Sequence, residues 1–209
     1  VPTGQISVDR DLVRSGLKPV MNWTIQYPKT LDDIVTINDP GEIVLKSRTE
    51  VEIRVLGVAF QSGSRLLPAA LQAQINGGWT TLFSGTSNAV DPSQAVYTQI
   101  LEPGTTINLS ATGGTSRGGW SFSANTLSSN DQVTHLREGE AVPHYVPAYD
   151  QGSIEDYLSS FIGSDGNLSA GPRDIVYLFE LGTTNPDSRY FDMQDIAVSI
   201  TFKDVETNK

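Results

Sequence analysis

The run 174–202, DIVYLFELGTTNPDSRYFDMQDIAVSITF, constrains this chain more than any other stretch. Ile196, Val198, Ile200 and Phe202 alternate with Ala197, Ser199 and Thr201, the period-2 pattern of a strand with one buried face. Residues 175–181 are apolar without alternation, as a strand covered on both faces reads. Two such strands, separated by a polar loop rich in acids, call for a β-sheet core. The pair is expected at its centre.

Other segments add strands to that core. Residues 33–37 and 42–45 flank Asn38-Asp39-Pro40-Gly41, a turn by composition, and predict a hairpin. Residues 71–75 and 79–83 flank Asn76-Gly77-Gly78, where Asn-Gly supplies the positive φ of a tight turn. Residues 96–101 and 105–110, around Glu102-Pro103-Gly104, predict a third hairpin. In 51–60 the apolar parity switches from Val51, Ile53 and Val55 to Leu56, Val58 and Phe60, with Gly57 at the switch. That pattern predicts either a β-bulge or a strand buried on both faces. Residues 111–131 are rich in Gly and Ser yet carry Trp120 and Phe122, which predicts a loop holding a short strand anchored by rings. One helix is expected over 153–162, with Ser153 as N-cap, Glu155 and Asp156 in its first turn, and Ile154, Tyr157, Leu158 and Phe161 on one face.

The expected fold is therefore all-β: an antiparallel, jelly-roll-like β-sandwich with one short α-helix, a single domain over residues 1–209. Residues 1–13 read as an arm. Ile6 and Val8 alternate ahead of Asp9-Arg10-Asp11, as in an edge strand or a strand donated to a neighbouring subunit.

Composition excludes several classes of function. A net charge of −10 leaves no basic surface for nucleic acid and disfavours docking on an anionic membrane. There is no cysteine, so disulfides, thiolate zinc sites and a Cys nucleophile are excluded. No apolar run reaches the length of a membrane span. A first residue of Val1 rather than Met is what removal of a leader, or trimming, leaves.

The loop after the first C-terminal strand gathers the main candidate site. Glu180, Asp187, Asp192 and Asp195 are hard oxygen ligands of the kind Ca²⁺ takes, although their spacing is not that of an EF-hand. The bland reading is that Asp192 and Asp195 cap the loop and solvate the strand entry. Gly114-Thr115-Ser116-Arg117-Gly118 matches G-x-S-x-G, with His135 and His144 downstream. Its setting is a glycine-rich loop instead of a strand–turn–helix elbow, so it reads as a loop that matches by composition. Trp23 and Trp79 lie on alternating strands and read as core, whereas Trp120 leads as a ligand-stacking ring. Of three N-glycosylation sequons, the one at Asn167 lies in a polar loop and is the one expected to be accessible.

The closing segment carries a resemblance. A strand ending in Phe179-Glu180, a polar loop, the step Phe191-Asp192-Met193-Gln194-Asp195 and a final alternating strand resemble the end of bacterial secreted or cell-surface exoproteins of unassigned function. Their loop is richer in glycine than this one, which has Asn185-Pro186-Asp187. The resemblance implies an extracellular or cell-surface setting. The expected function is accordingly a non-enzymatic structural protein, a cell-surface, matrix or filament subunit that associates with itself by strand addition. The alternative is a secreted module that binds glycans.

Overall fold

Strands dominate the computed structural model, which describes residues 2–8, 10–16, 18, 21–27, 29–128 and 131–205. The chain divides into two units, Val1–Thr30 and Leu31–Lys209.

The first unit holds β1 (Thr3–Val8), α1 (Arg10–Arg14) and β2 (Met21–Gln26). The strands pair antiparallel, with Ile6 opposite Trp23, Val8 opposite Met21 and Gly4 opposite Ile25. Opposed residues of such a pair share a face, so these five apolar side chains form one row. The expected arm is thus one half of a hairpin within its own chain. Asp9, also read from the sequence, lies outside the described residues. None of the described residues of this unit is buried.

The second unit runs α2 (Leu31–Ile34), β3 (Val35–Asn38), β4 (Glu42–Leu45), β5 (Thr49–Val58), β6 (Gln61–Ser62), β7 (Arg65–Leu66), β8 (Ala69–Ile75) and β9 (Trp79–Gly85). It continues with β10 (Tyr97–Leu101), β11 (Thr106–Gly114), β12 (Trp120–Asn125), β13 (Val133–Arg137), α3 (Ile154–Tyr157), β14 (Asp174–Phe179) and β15 (Ile196–Asp204). One sheet has the order β10-β5-β15-β14-β13, the other β3-β4-β11-β8-β9 with β12 also on β11. All their pairings are antiparallel, and the unit is an all-β sandwich. Among the described residues, no helix is long and apolar enough to cross a membrane.

The C-terminal pair lies inside the first sheet, and its pattern now has a cause. Ile175, Tyr177 and Phe179 face the main core with Ile43, Leu71, Ile107 and Leu109 of the other sheet. Val176 and Leu178 face a second apolar cluster with Ile154, Leu158 and Met193. β14 is therefore covered on both faces, which is why its run does not alternate.

β5 contains the bulge and is also buried on both sides. Ala197 pairs with Gly57 and Val198 with Val55, so Leu56 is the extra residue. The bulge returns Val58 and Phe60 to the main core beside Val51, Ile53 and Val55, and leaves Leu56 in the second cluster. A Cβ at Gly57 would come within 2.2 Å of the Tyr157 ring, so only glycine fits.

Three expectations are corrected. The turn at Glu102-Pro103-Gly104 does not close a hairpin, because β10 belongs to one sheet and β11 to the other. Turn chemistry reverses a chain but does not choose its partner strand. The helix expected over 153–162 is a single α-turn, Ile154–Tyr157, followed by a 3₁₀ turn, Ser159–Phe161. Ser153 does cap it, in a capping box with Asp156. It is also not the sole helix, since α1 and the short α2 precede it.

Candidate functional site

β14 is followed directly by Glu180, a fully buried carboxylate that ties the loop together. Its Oε1 accepts from the N–H groups of Gly182 (2.7 Å) and Thr183 (3.1 Å) at the start of the loop. Its Oε2 accepts from those of Asp192 (3.0 Å) and Met193 (3.2 Å) near the end. Met193 holds a left-handed backbone, φ 55°, while its side chain is packed in the second apolar cluster. Asp195 Oδ2 accepts from Leu181 N–H (2.5 Å) and Gly182 N–H (3.1 Å). Asp192 Oδ2 accepts from Ala148 N–H (2.9 Å), Gln151 Nε2 (3.3 Å) and Gln194 Nε2 (3.1 Å), joining the loop to the segment before α3.

The alternative to a Ca²⁺ site has Asp192 and Asp195 cap the loop and solvate the strand entry. They cap it, but Asp192 and Asp195 are only 2% and 6% exposed. Burial raises the proton affinity of all three carboxyls above the ordinary range, and the charge of neighbouring acids adds to the rise at Glu180 and Asp195. The rise is greatest for Asp195. Asp187 stands apart, exposed, its N–H donated to Asn185 Oδ1. Among the described residues, no group of three or more His, Cys, Asp or Glu is placed to hold a metal ion. The reason is visible in the bonding, since most of the acid oxygens described are turned onto backbone N–H donors.

The three acids border a cavity of about 360 Å³. Phe60 and Phe122 form an apolar wall, packed edge to face with centroids 5.5 Å apart. Glycine at 113 makes this packing possible, because a Cβ there would come within 2.5 Å of the Phe60 ring. Tyr149 and Tyr190 line another part, 6.0 Å apart and tilted by 34°. Arg189 lies over the Tyr190 ring, 4.6 Å from its centroid. Thr115, Ser116 and Gln61 add polar groups.

Two segments far apart in sequence thus meet here, the glycine-rich stretch around Ser116 and the acid loop. Trp120, expected to lead in ligand contact, is exposed but does not line the cavity. A register shift between Gly113 and Gly114 pairs Gly114 with Trp120 and puts it out of step with Phe122, the ring that does line it. Sequence reasoning missed Tyr149 and Gln151, whose irregular segment after Pro143 and Pro147 carries no periodic signal, and Tyr190, which lies in the acid loop itself. Ser116 lines the cavity, but neither histidine does. His144 pairs with Glu155 at 2.5 Å, and His135 lies 5.8 Å from the Tyr177 ring. Asn167 is half-buried, its Nδ2 donated to Asp165 Oδ2 at 3.1 Å. Ile6 and Val8 are exposed on the hairpin of the first unit.

Comparison with protein-family models, with curated proteins and with solved structures finds no match to this chain.

Proposed function

We propose that this chain is a non-enzymatic, extracellular binding module whose β-sandwich takes a carbohydrate in the cavity beside the acid loop. The carrying observation is that the cavity combines apolar rings with hydroxyl, amide and carboxyl groups at about 360 Å³, a volume suited to one or two sugar rings. Rings cover the C–H faces of a sugar while polar groups meet its hydroxyls. The extracellular setting rests on the Cys-free, acidic composition and on the resemblance of the closing segment to bacterial exoproteins. On a broad glycan array we expect binding to a defined subset of sugars, at least about tenfold weaker for Phe122→Ala. Silence across the array would overturn the reading. Calcium enters as a second arm: a rise in Tm with millimolar Ca²⁺ that Asp195→Asn abolishes would make the ion an occupant of the loop.

A second role, assembly with further copies in a cell-surface, matrix or filament structure, is favoured by the first unit. A lone two-stranded sheet is marginal in water, and this one leaves Ile6 74% and Trp23 70% exposed on its apolar row. Sedimentation should give concentration-dependent oligomers that Ile6→Lys with Trp23→Glu dissociates. A wild-type monomer at all concentrations would remove this role.

A further inference from the structure

Assembly through the β1–β2 hairpin requires a receiving surface, and the outer edge of β13 has the features of one. β13 ends its sheet and, among the described residues, pairs only with β14. Glu180 N–H donates to Gln132 C=O (2.9 Å) in the register of that pair. Bonding alternates along an antiparallel strand, so Thr134 and Leu136 carry the ladder bonds and the main-chain groups of Val133, His135 and Arg137 point outward. Arg137 is answered there by Glu140, whose Oε2 accepts its N–H at 2.8 Å and whose N–H donates to its C=O at 3.1 Å. Among the described residues, nothing answers the outward N–H and C=O of Val133 and His135.

A groove of about 590 Å³ opens beside this edge. Its walls take side chains from both faces of β13, Val133 from the main core and Leu136 from the second cluster. Tyr145 and Phe191, packed edge to face with centroids 5.8 Å apart, line it on the Leu136 side. Asp39 and Asp131 also line it, and no Lys, Arg or His does. An added strand needs this combination, main-chain groups for its ladder and an apolar trough for its alternate side chains.

We infer that the β13 edge is a strand-addition site and that its occupant is β2 of a second copy. Met21–Gln26 holds no charge and no proline, and β1 pairs along one of its edges. Alternate residues therefore present N–H and C=O along the other edge. Met21, Trp23 and Ile25 share a face, which meets Tyr145 and Phe191 in the groove. Charge selects the partner. Residues 1–30 carry Arg10, Arg14, Lys18 and Lys29 against Asp9 and Asp11, a net charge of +2. With −10 for the whole chain, residues 31–209 carry −12. The basic unit of one copy thus complements the acidic sandwich of the next, whereas two hairpins or two sandwiches repel. Lys18 and Lys29 bracket β2 in the sequence and bring positive charge to a groove that holds Asp39 and Asp131.

The inference rests on the assembly role, and its test separates the two. The chain has no cysteine, so an engineered one is unique. Met21→Cys protein is mixed with Thr134→Cys protein, one of them tagged, and treated with a short bis-maleimide. We expect a cross-linked dimer holding one chain of each kind, lost when Ile6→Lys and Trp23→Glu are added to the Met21→Cys chain. His135→Pro removes an outward N–H that the ladder to β14 does not use, and should weaken association in sedimentation at least about tenfold. His135→Ala keeps that N–H and should associate as the wild type does. Oligomers without the mixed cross-link would overturn the β13 site and leave the assembly role. So would a His135→Pro protein that is folded by circular dichroism and associates undiminished. Should that variant not fold, the cross-link decides alone. A wild-type monomer at every concentration would overturn both.

Discussion

Glu180→Ala is expected to destabilise the fold by about 4 kcal/mol, the largest effect of any single substitution in the acid loop. The side chain is fully buried and takes four backbone N–H groups. Gly182 keeps a second acceptor in Asp195, but Thr183, Asp192 and Met193 lose the acceptor that holds them. Each buried N–H left unpaired costs about 1–3 kcal/mol. Part of that cost is offset, because removing one carboxyl relieves its repulsion of Asp192 and Asp195. Glu180→Gln should fall between the two, since its amide nitrogen would face N–H donors. Urea denaturation followed by circular dichroism measures both. A loss below about 1 kcal/mol for Glu180→Ala would mean that the loop holds without its carboxylate.

The second expected result is a stability that falls as pH rises from mildly acidic toward neutral. Glu180, Asp192, Asp195 and Asp174 all have their proton affinity raised in the fold, with burial the first cause in each. The folded state therefore binds more protons than the unfolded one in a window that opens near pH 4, the ordinary carboxyl value, and extends upward. Their stabilisation is complete below that window and is lost as pH climbs through the folded values. His135 acts in the opposite sense, because burial and Arg137 lower its proton affinity. It costs stability as pH falls below its ordinary value of about 6.5. Four acids outweigh one histidine, and the net charge of −10 adds repulsion at neutral pH. Calorimetry should place the highest Tm near pH 5, with a fall of roughly 5 °C by pH 7.5. Asp195→Asn should flatten the profile. A Tm that climbs steadily to neutrality would contradict this assignment of the buried protons.

Much of the fold was legible in the residues. The hairpin at Asn76-Gly77-Gly78, the bulge at Gly57 and the Ser153 cap all depend on the conformations a few neighbouring residues allow. The pairing of β14 with β15 follows from two adjacent hydrophobic runs. Strand partners were less legible. Glu102-Pro103-Gly104 reads as a hairpin turn, yet the strands it joins enter different sheets. The helix also read longer than it is, because the face shared by Ile154, Leu158 and Phe161 continues through a 3₁₀ turn.

By itself the sequence determined an all-β chain, the central place of residues 174–202 and the acidic character of their loop. These follow from side-chain periodicity and composition, which are local. Only the tertiary structure decided that Glu180, Asp192 and Asp195 are buried on backbone N–H donors, that Asp187 is left outside, and that Phe122 instead of Trp120 meets them across a cavity. Burial, raised proton affinity and the joining of distant segments are products of long-range packing. Linear order does not encode them in any single stretch.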